Sequence, residues 1–172
     1  MTNEFKIIDP TEIHGNTFQM IDKQWFLLTA GNLQKFNTMT ASWGTMGILW
    51  NKPVFFCFVR PQRYTYQFME SSSHYTISFL GETQRPALKF CGKFSGKDVD
   101  KIGSTGLIPK ETQNGAIYFE QADLVLECRK LYFSDLDPSH FLDPLILKNY
   151  PINDFHRLYI GEIVKCMLKS KR

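Results

Sequence analysis

Seven short runs of apolar, β-branched and aromatic residues recur along the chain, at 25–30, 39–43, 54–59, 75–80, 116–119, 124–133 and 158–167. Such a recurrence argues for a sheet-dominated core. Helical patterning fits only 65–71, 83–91 and 97–102, all short, so strands and helices do not alternate as a doubly wound parallel sheet requires. The expected fold class is mainly β: an antiparallel, Greek-key-like β-barrel with short inserted helices. Glycine-rich turns at 92–96 and 103–106 flank the third helix, and Pro138, Pro144 and Pro151 mark an irregular stretch before the last strand. With 172 residues, 1–172 reads as a single domain burying roughly 70% of its unfolded surface. The run at 158–167 reads as the strand that closes the barrel.

Charge and motif spacing exclude several function classes. Twenty Lys and Arg against 17 Asp and Glu give +3, with one dense cationic run at 169–172, too little for a nucleic-acid footprint. The start of the chain lacks a long apolar segment, and 54–59 is far too short to span a bilayer, so a cytoplasmic protein without a membrane partner is expected. Cys57, Cys91, Cys128 and Cys166 lie too far apart for a zinc knuckle or redox pair, and read as packed thiols. His14, His74, His140 and His156 lack metal-ligand spacing, and no metal site is expected. No Gly-x-Ser-x-Gly elbow is present, and Gly44, Thr45, Met46 and Gly47 do not make a dinucleotide fingerprint. The stretch from Gly92 through Gly96 and Lys97 fails as a Walker loop, because three residues separate its glycines and Asp98 follows the lysine.

Four segments retain chemical interest. After the run 54–59 come Arg60, Pro61, Gln62, Arg63, Tyr64 and Thr65, so a strand delivers two guanidiniums to a helix start, where Arg63 and the Thr65 hydroxyl could bind a phosphate. On local grounds the alternative is that both arginines are solvated and Thr65 is an N-cap. The second segment, Asn37, Thr38, Met39, Thr40, Ala41, Ser42 and Trp43, places small side chains where backbone can approach a flat ring with alternating donors and acceptors; alternatively Met39, Ala41 and Trp43 simply pack inward. In the third, Ser95 and Asp98 could support a phosphate or cap a short helix. The fourth opens with His156, Arg157 and Leu158 at the mouth of the last strand.

In this order and spacing the segments resemble the flavin reductase-like family, specifically the flavoredoxin branch of FMN-binding split β-barrels. The resemblance extends through Phe119 to Tyr132, with Glu120, Ala122, Leu126, Cys128 and Arg129, and through His156 to Ile163. It implies a homodimer with FMN at the subunit interface. It implies a flavin ring against Met39, Thr40, Ala41, Ser42 and Trp43, with Asn37 alongside, a phosphate near Arg60, Arg63 and Thr65, and supporting roles for Ser95 and Lys101. It further implies hydride transfer from NADH or NADPH, as a transient substrate, to flavin N5, with His156 as a candidate orienting group. Recognition of the nicotinamide would then fall to the flavin face and nearby loops. Because the chemistry belongs to the cofactor, no acid and base pair is required. The alternatives are a non-enzymatic flavoredoxin-type carrier that serves a redox-protein partner, a redox sensor that binds FMN, or a split barrel that binds haem.

Overall fold

The computed structural model describes residues 4–170. Residues 1–3, and Lys171 and Arg172 at the end of the cationic run, lie outside the described residues. Ten strands carry the fold: β1 Phe5–Ile8, β2 Phe26–Asn32, β3 Lys35–Ala41, β4 Gly44–Leu49, β5 Lys52–Val59, β6 His74–Leu80, β7 Pro109–Glu111, β8 Ile117–Phe119, β9 Ala122–Asp135 and β10 Arg157–Lys169. Three short helices accompany them: α1 Thr65–Ser71, α2 Arg85–Lys93 and α3 Lys101–Thr105. All pairings are antiparallel, in the order β3-β2-β6-β9-β10-β5-β4, while β7 and β8 form a separate hairpin.

β10 is central to this arrangement. One of its edges runs along β9, and its other edge is shared, with β5 against Arg157 to Glu162 and β1 against Cys166 to Lys169. The β9–β10 ladder is broken by bulges between Ile160 and Gly161 and between Ile163 and Lys165; such bulges bend a strand and raise its twist. The sheet curls until strands four places apart meet across the interior: Phe26 of β2 packs edge-on against Phe55 of β5, centroids 5.3 Å apart. The result is the expected barrel.

Both faces of the central strands are covered, which explains their near-continuous apolar runs. In β2, Phe26, Leu28 and Ala30 enter the barrel, while Leu27 faces an outer layer formed by Leu88 and Cys91 of α2, Leu107, and Phe119 of β8. Helix α2 buries Ala87, Leu88 and Cys91 on one face, a helical spacing. Helix α3 starts later than the sequence pattern predicts. The Asp100 carboxylate accepts hydrogen bonds from the backbone N–H groups of Ile102 and Gly103, and this cap sets the first turn at Lys101.

Two connections shape the functional end. Trp50 and Asn51, both with left-handed φ (52° and 56°), make the tight turn between β4 and β5. Ser42 and Trp43 alone link β3 to β4, the two ends of the strand order. That short link holds the barrel's two terminal strands together and leaves one edge of β3 without a strand partner. No helix among the described residues is long and apolar enough to cross a membrane.

Candidate functional site

The free edge of β3 forms one wall of a cleft of about 320 Å³, lined by Met39, Thr40, Ala41, Ser42, Trp43, Phe58, Arg60, Arg63, Gly92 and His156. Unpaired strand N–H and C=O groups form a row of alternating donors and acceptors. Met39 is buried in the barrel and Ala41 packs against the same core, so the expected inward alternation holds for these two and fails at Trp43, which is 46% exposed. Beyond the strand end the Trp43 indole turns onto the His156 ring instead, at 5.1 Å.

The opposite wall comes from the end of β5 and from loops. Arg60 is half-committed to structure: it donates to the Asp154 carboxylate at 2.6 Å and to the Asn149 carbonyl at 2.8 Å, and lies over the Tyr150 ring. Gln62 also donates to Asp154. These contacts pin the loop before β10 beside the cleft. Arg63 differs. It is partly buried, donates to the Gly92 carbonyl at 3.2 Å, and forms no ion pair among the described residues. Burial, then the neighbouring Arg60 charge, pull its pKa down. A guanidinium held in that environment without a carboxylate is poised for an external anion.

His156 immediately precedes β10 and is 8% exposed. Burial first and the Arg60 charge second lower its pKa to about 4, so the imidazole is neutral at pH 7. Its Nδ1 shares a hydrogen bond of 2.9 Å with the Tyr150 hydroxyl, and Trp43, Phe58 and Tyr150 surround the ring. The result is an oriented polar group that carries no charge.

Four residues singled out from sequence do not line this cleft. Asn37 and Thr65 are buried against each other, with the amide donating to the hydroxyl at 2.8 Å. Thr65 is therefore not the N-cap of α1; that position is Tyr64, which makes no side-chain cap. The Ser95 hydroxyl accepts from the Lys97 N–H within its own turn. Lys101 is buried, and its amine donates to the carbonyls of Thr38 at 2.7 Å and Cys91 at 2.9 Å, tying β3 to α2. Burial brings its pKa down to about 8. Asn37, Thr65 and Lys101 brace the cleft from behind, and the Asn37 amide oxygen lies where a Cβ on Gly96 would clash.

Residues 20–172 match the family described as the flavin reductase like domain. The chain belongs to this family. Among solved structures, this flavin reductase-like chain is similar to an FMN-binding domain of a flavin reductases-like enzyme from Shewanella baltica (16% identity, TM-score 0.70, covering 98% of this chain and 79% of that one). It is also similar to flavoredoxin from Methanosarcina acetivorans (22%, 0.65, 92% and 75%). A third neighbour is a Streptomyces globisporus NADH:FAD oxidoreductase, solved with NAD and FAD fragments (18%, 0.64, 84% and 74%). At these identities the likeness is one of fold, the split barrel. No curated protein sequence matches the chain significantly.

The flavin reductase-like cleft also contains residues that sequence reasoning passed over. Phe58 lies on the outward-facing set of β5, opposite in parity to Phe55, Cys57 and Val59 of the core, a signal visible in the alternation. Gly92 sits in the stretch rejected as a Walker loop. Outside the lining, Tyr150 and Asp154, which hold His156 and Arg60, belong to the Pro-rich segment before β10, where no periodicity marks them. Among the described residues no three His, Cys, Asp or Glu side chains gather as a metal site.

Proposed function

We propose that the cleft binds a flavin, FMN in the first instance, and that the protein is an NAD(P)H-dependent oxidoreductase of the flavin reductase type. The observation that carries this reading is Arg63, a partly buried cation without an ion-pair partner among the described residues, placed in one cleft with the unpaired edge of β3. A flavin mononucleotide presents a phosphate and a planar ring with hydrogen-bonding groups along one edge, and the cleft offers a counterpart to each. Bound there, the flavin would supply the two-electron chemistry of a hydride acceptor.

The chain's own contribution is positional and electrostatic. Arg63 offsets the phosphate charge, supported by Arg60, whose own position Asp154 and Asn149 secure. The backbone of residues 39–42 orients the ring edge, and Trp43 and Phe58 cover apolar surface and exclude water. Neutral His156, fixed through Tyr150, orients the ring or the incoming nicotinamide by hydrogen bonding. The Streptomyces neighbour, an NADH:FAD oxidoreductase, supports the nicotinamide part of the reading.

We further take the working unit to be a cytoplasmic homodimer with flavin at its interface. The exposed aromatics Trp50, Tyr132 and Phe133 and exposed Ile48, on β4, β9 and the turn after β4, supply an apolar face for a second copy. The flavoredoxin neighbour favours one alternative, an electron carrier serving a redox protein. Steady oxidation of NADH or NADPH with free flavin or oxygen as acceptor is expected of the enzyme. Reduction that stops after one equivalent of bound flavin, with fast exchange to a protein donor, would assign the carrier instead.

A further inference from the structure

A cavity of about 640 Å³ lies at the other end of β3 and α1 from the flavin cleft, and the two share no lining residue. It is enclosed by the turn between β2 and β3, the last turn of α1, the start of β6 and the loop between β7 and β8. β3 runs from Lys35 at this cavity to Ala41 at the cleft, about 20 Å of strand.

Its walls are fixed by the fold itself. Gly31, with φ of 112°, shapes the β2–β3 turn; its N–H donates to the Ser72 hydroxyl at 3.1 Å, and a Cβ there would strike the Lys35 carbonyl and the Phe36 backbone. The β7–β8 loop is held by Glu127, a fully buried carboxylate that accepts from the Thr112 hydroxyl at 2.6 Å and from the Asn114 carboxamide at 3.1 Å.

What this lining leaves unused is mostly donors. The carbonyls at the end of α1 are already taken, those of Gln67 and Phe68 by the Ser71 hydroxyl and those of Met69 and Glu70 by the Lys130 amine. The Asn32 carboxamide oxygen accepts from the Gln34 and Lys35 N–H groups, which leaves its NH2 over. His74 engages Nδ1 alone, with the Ser73 hydroxyl at 3.0 Å, so Nε2 is open. Lys35 forms no ion pair among the described residues, and no Asp or Glu lines the cavity. A cation among spare donors, with no carboxylate near, selects an anion, and several converging donors suit the three terminal oxygens of a phosphate better than the two of a carboxylate. The Asn32 and Gln67 carboxamides suit hydroxyl groups beside it, and buried Phe68 and Ala116 supply the apolar part of the lining.

We infer that this cavity is a second ligand site, for a small hydroxylated phosphate monoester of the sugar-phosphate class. The phosphate meets Lys35 and His74, the hydroxyls meet Asn32 and Gln67, and the carbon skeleton lies against Phe68. The volume is that of a small-molecule site. With β3 between it and the cleft, the ligand is not a reactant at the flavin, and the inference holds whether or not the flavin reading does.

The test titrates the full chain by calorimetry with ribose 5-phosphate, inorganic phosphate, malonate and ribose, beside the variants Lys35→Met, His74→Gln and Arg63→Met. One ribose 5-phosphate per chain is expected to bind, inorganic phosphate to compete with it, and ribose to bind roughly tenfold or more weakly. Lys35→Met and His74→Gln should each weaken ribose 5-phosphate roughly tenfold, while Arg63→Met leaves it unchanged. Lys35→Met, at an exposed position, carries the test should His74→Gln not fold. Absence of binding by ribose 5-phosphate and inorganic phosphate alike would overturn the inference, as would affinity lost in Arg63→Met and kept in the other two, which would put the anion in the flavin cleft. Malonate binding as tightly as inorganic phosphate would overturn the choice of phosphate.

Discussion

Replacing Arg63 by Met should separate binding from stability. In the free protein the guanidinium is partly buried, faces the Arg60 charge, and has one hydrogen bond, to the Gly92 carbonyl, in return. Met keeps the aliphatic stem and removes both the desolvated charge and the repulsion. Losing the neutral hydrogen bond costs about 0.5–1.5 kcal/mol, and relief of the unpaired charge offsets a comparable amount. Stability of the flavin-free protein should therefore stay within about 1 kcal/mol of wild type. Flavin affinity behaves differently, because a charge-assisted contact to phosphate is worth about 1.5–3 kcal/mol, or roughly ten- to a hundredfold in Kd. Calorimetric titration with FMN, beside urea unfolding of the flavin-free protein, reads the two quantities. The wild-type affinity should also weaken with added salt more steeply than that of the variant. Equal affinity in the two proteins would refute the reasoning, and so would a loss of affinity matched by an equal loss of stability.

Two further outcomes follow from buried groups. The folded-state pKa of His156 lies near 4, below an unfolded value of about 6.5, so between these limits the unfolded chain binds more protons. The His156 contribution is thus intact above about pH 6.5 and is lost as pH falls toward 4, by up to about 3 kcal/mol; His156→Gln should flatten that part of a stability profile measured by urea unfolding, and an unchanged slope would contradict it. At Gly161, an added Cβ would press into the Tyr75 hydroxyl and lie 2.8 Å from its Cζ and 2.9 Å from the Cys128 Cβ. Gly161→Ala should cost about 1–3 kcal/mol in thermal unfolding, and Tyr75→Phe, which removes the buried hydroxyl nearest the added Cβ, should recover part of it.

The strands that proved easiest to read are those buried on both faces. β2 and the paired half of β9 read as nearly continuous apolar runs because barrel and outer layer each take alternate residues, while β6 alternates the barrel-facing Tyr75, Ile77 and Phe79 with buried Thr76 and Ser78. β4 escaped notice for the opposite reason: its side chains alternate between half-buried and exposed, and Met46 and Ile48 do not form a run. β1 is held by pairing with the second half of β10, a partnership set by the far end of the chain. In the site, Arg63, Met39 to Trp43 and His156 were legible as residues between a strand and its neighbours, and the structure brings them to one cleft. Asn37, Thr65 and Lys101 were chosen for the same chemistry, but their polar atoms are satisfied internally, a distinction that depends on which direction each side chain takes. Trp25 appeared only as the start of an apolar run; its left-handed backbone and its stack with Arg85, sixty residues on, leave no local mark.

The central claim is that the cleft along the free edge of β3 is a flavin site. Its most direct measurement is titration of the purified protein with FMN, following tryptophan fluorescence in the wild type and in Trp43→Phe. One FMN per chain should bind and quench emission, with much of the quenching lost in Trp43→Phe, since that indole lines the cleft. Absence of FMN binding, or quenching identical in the two proteins, would contradict the claim.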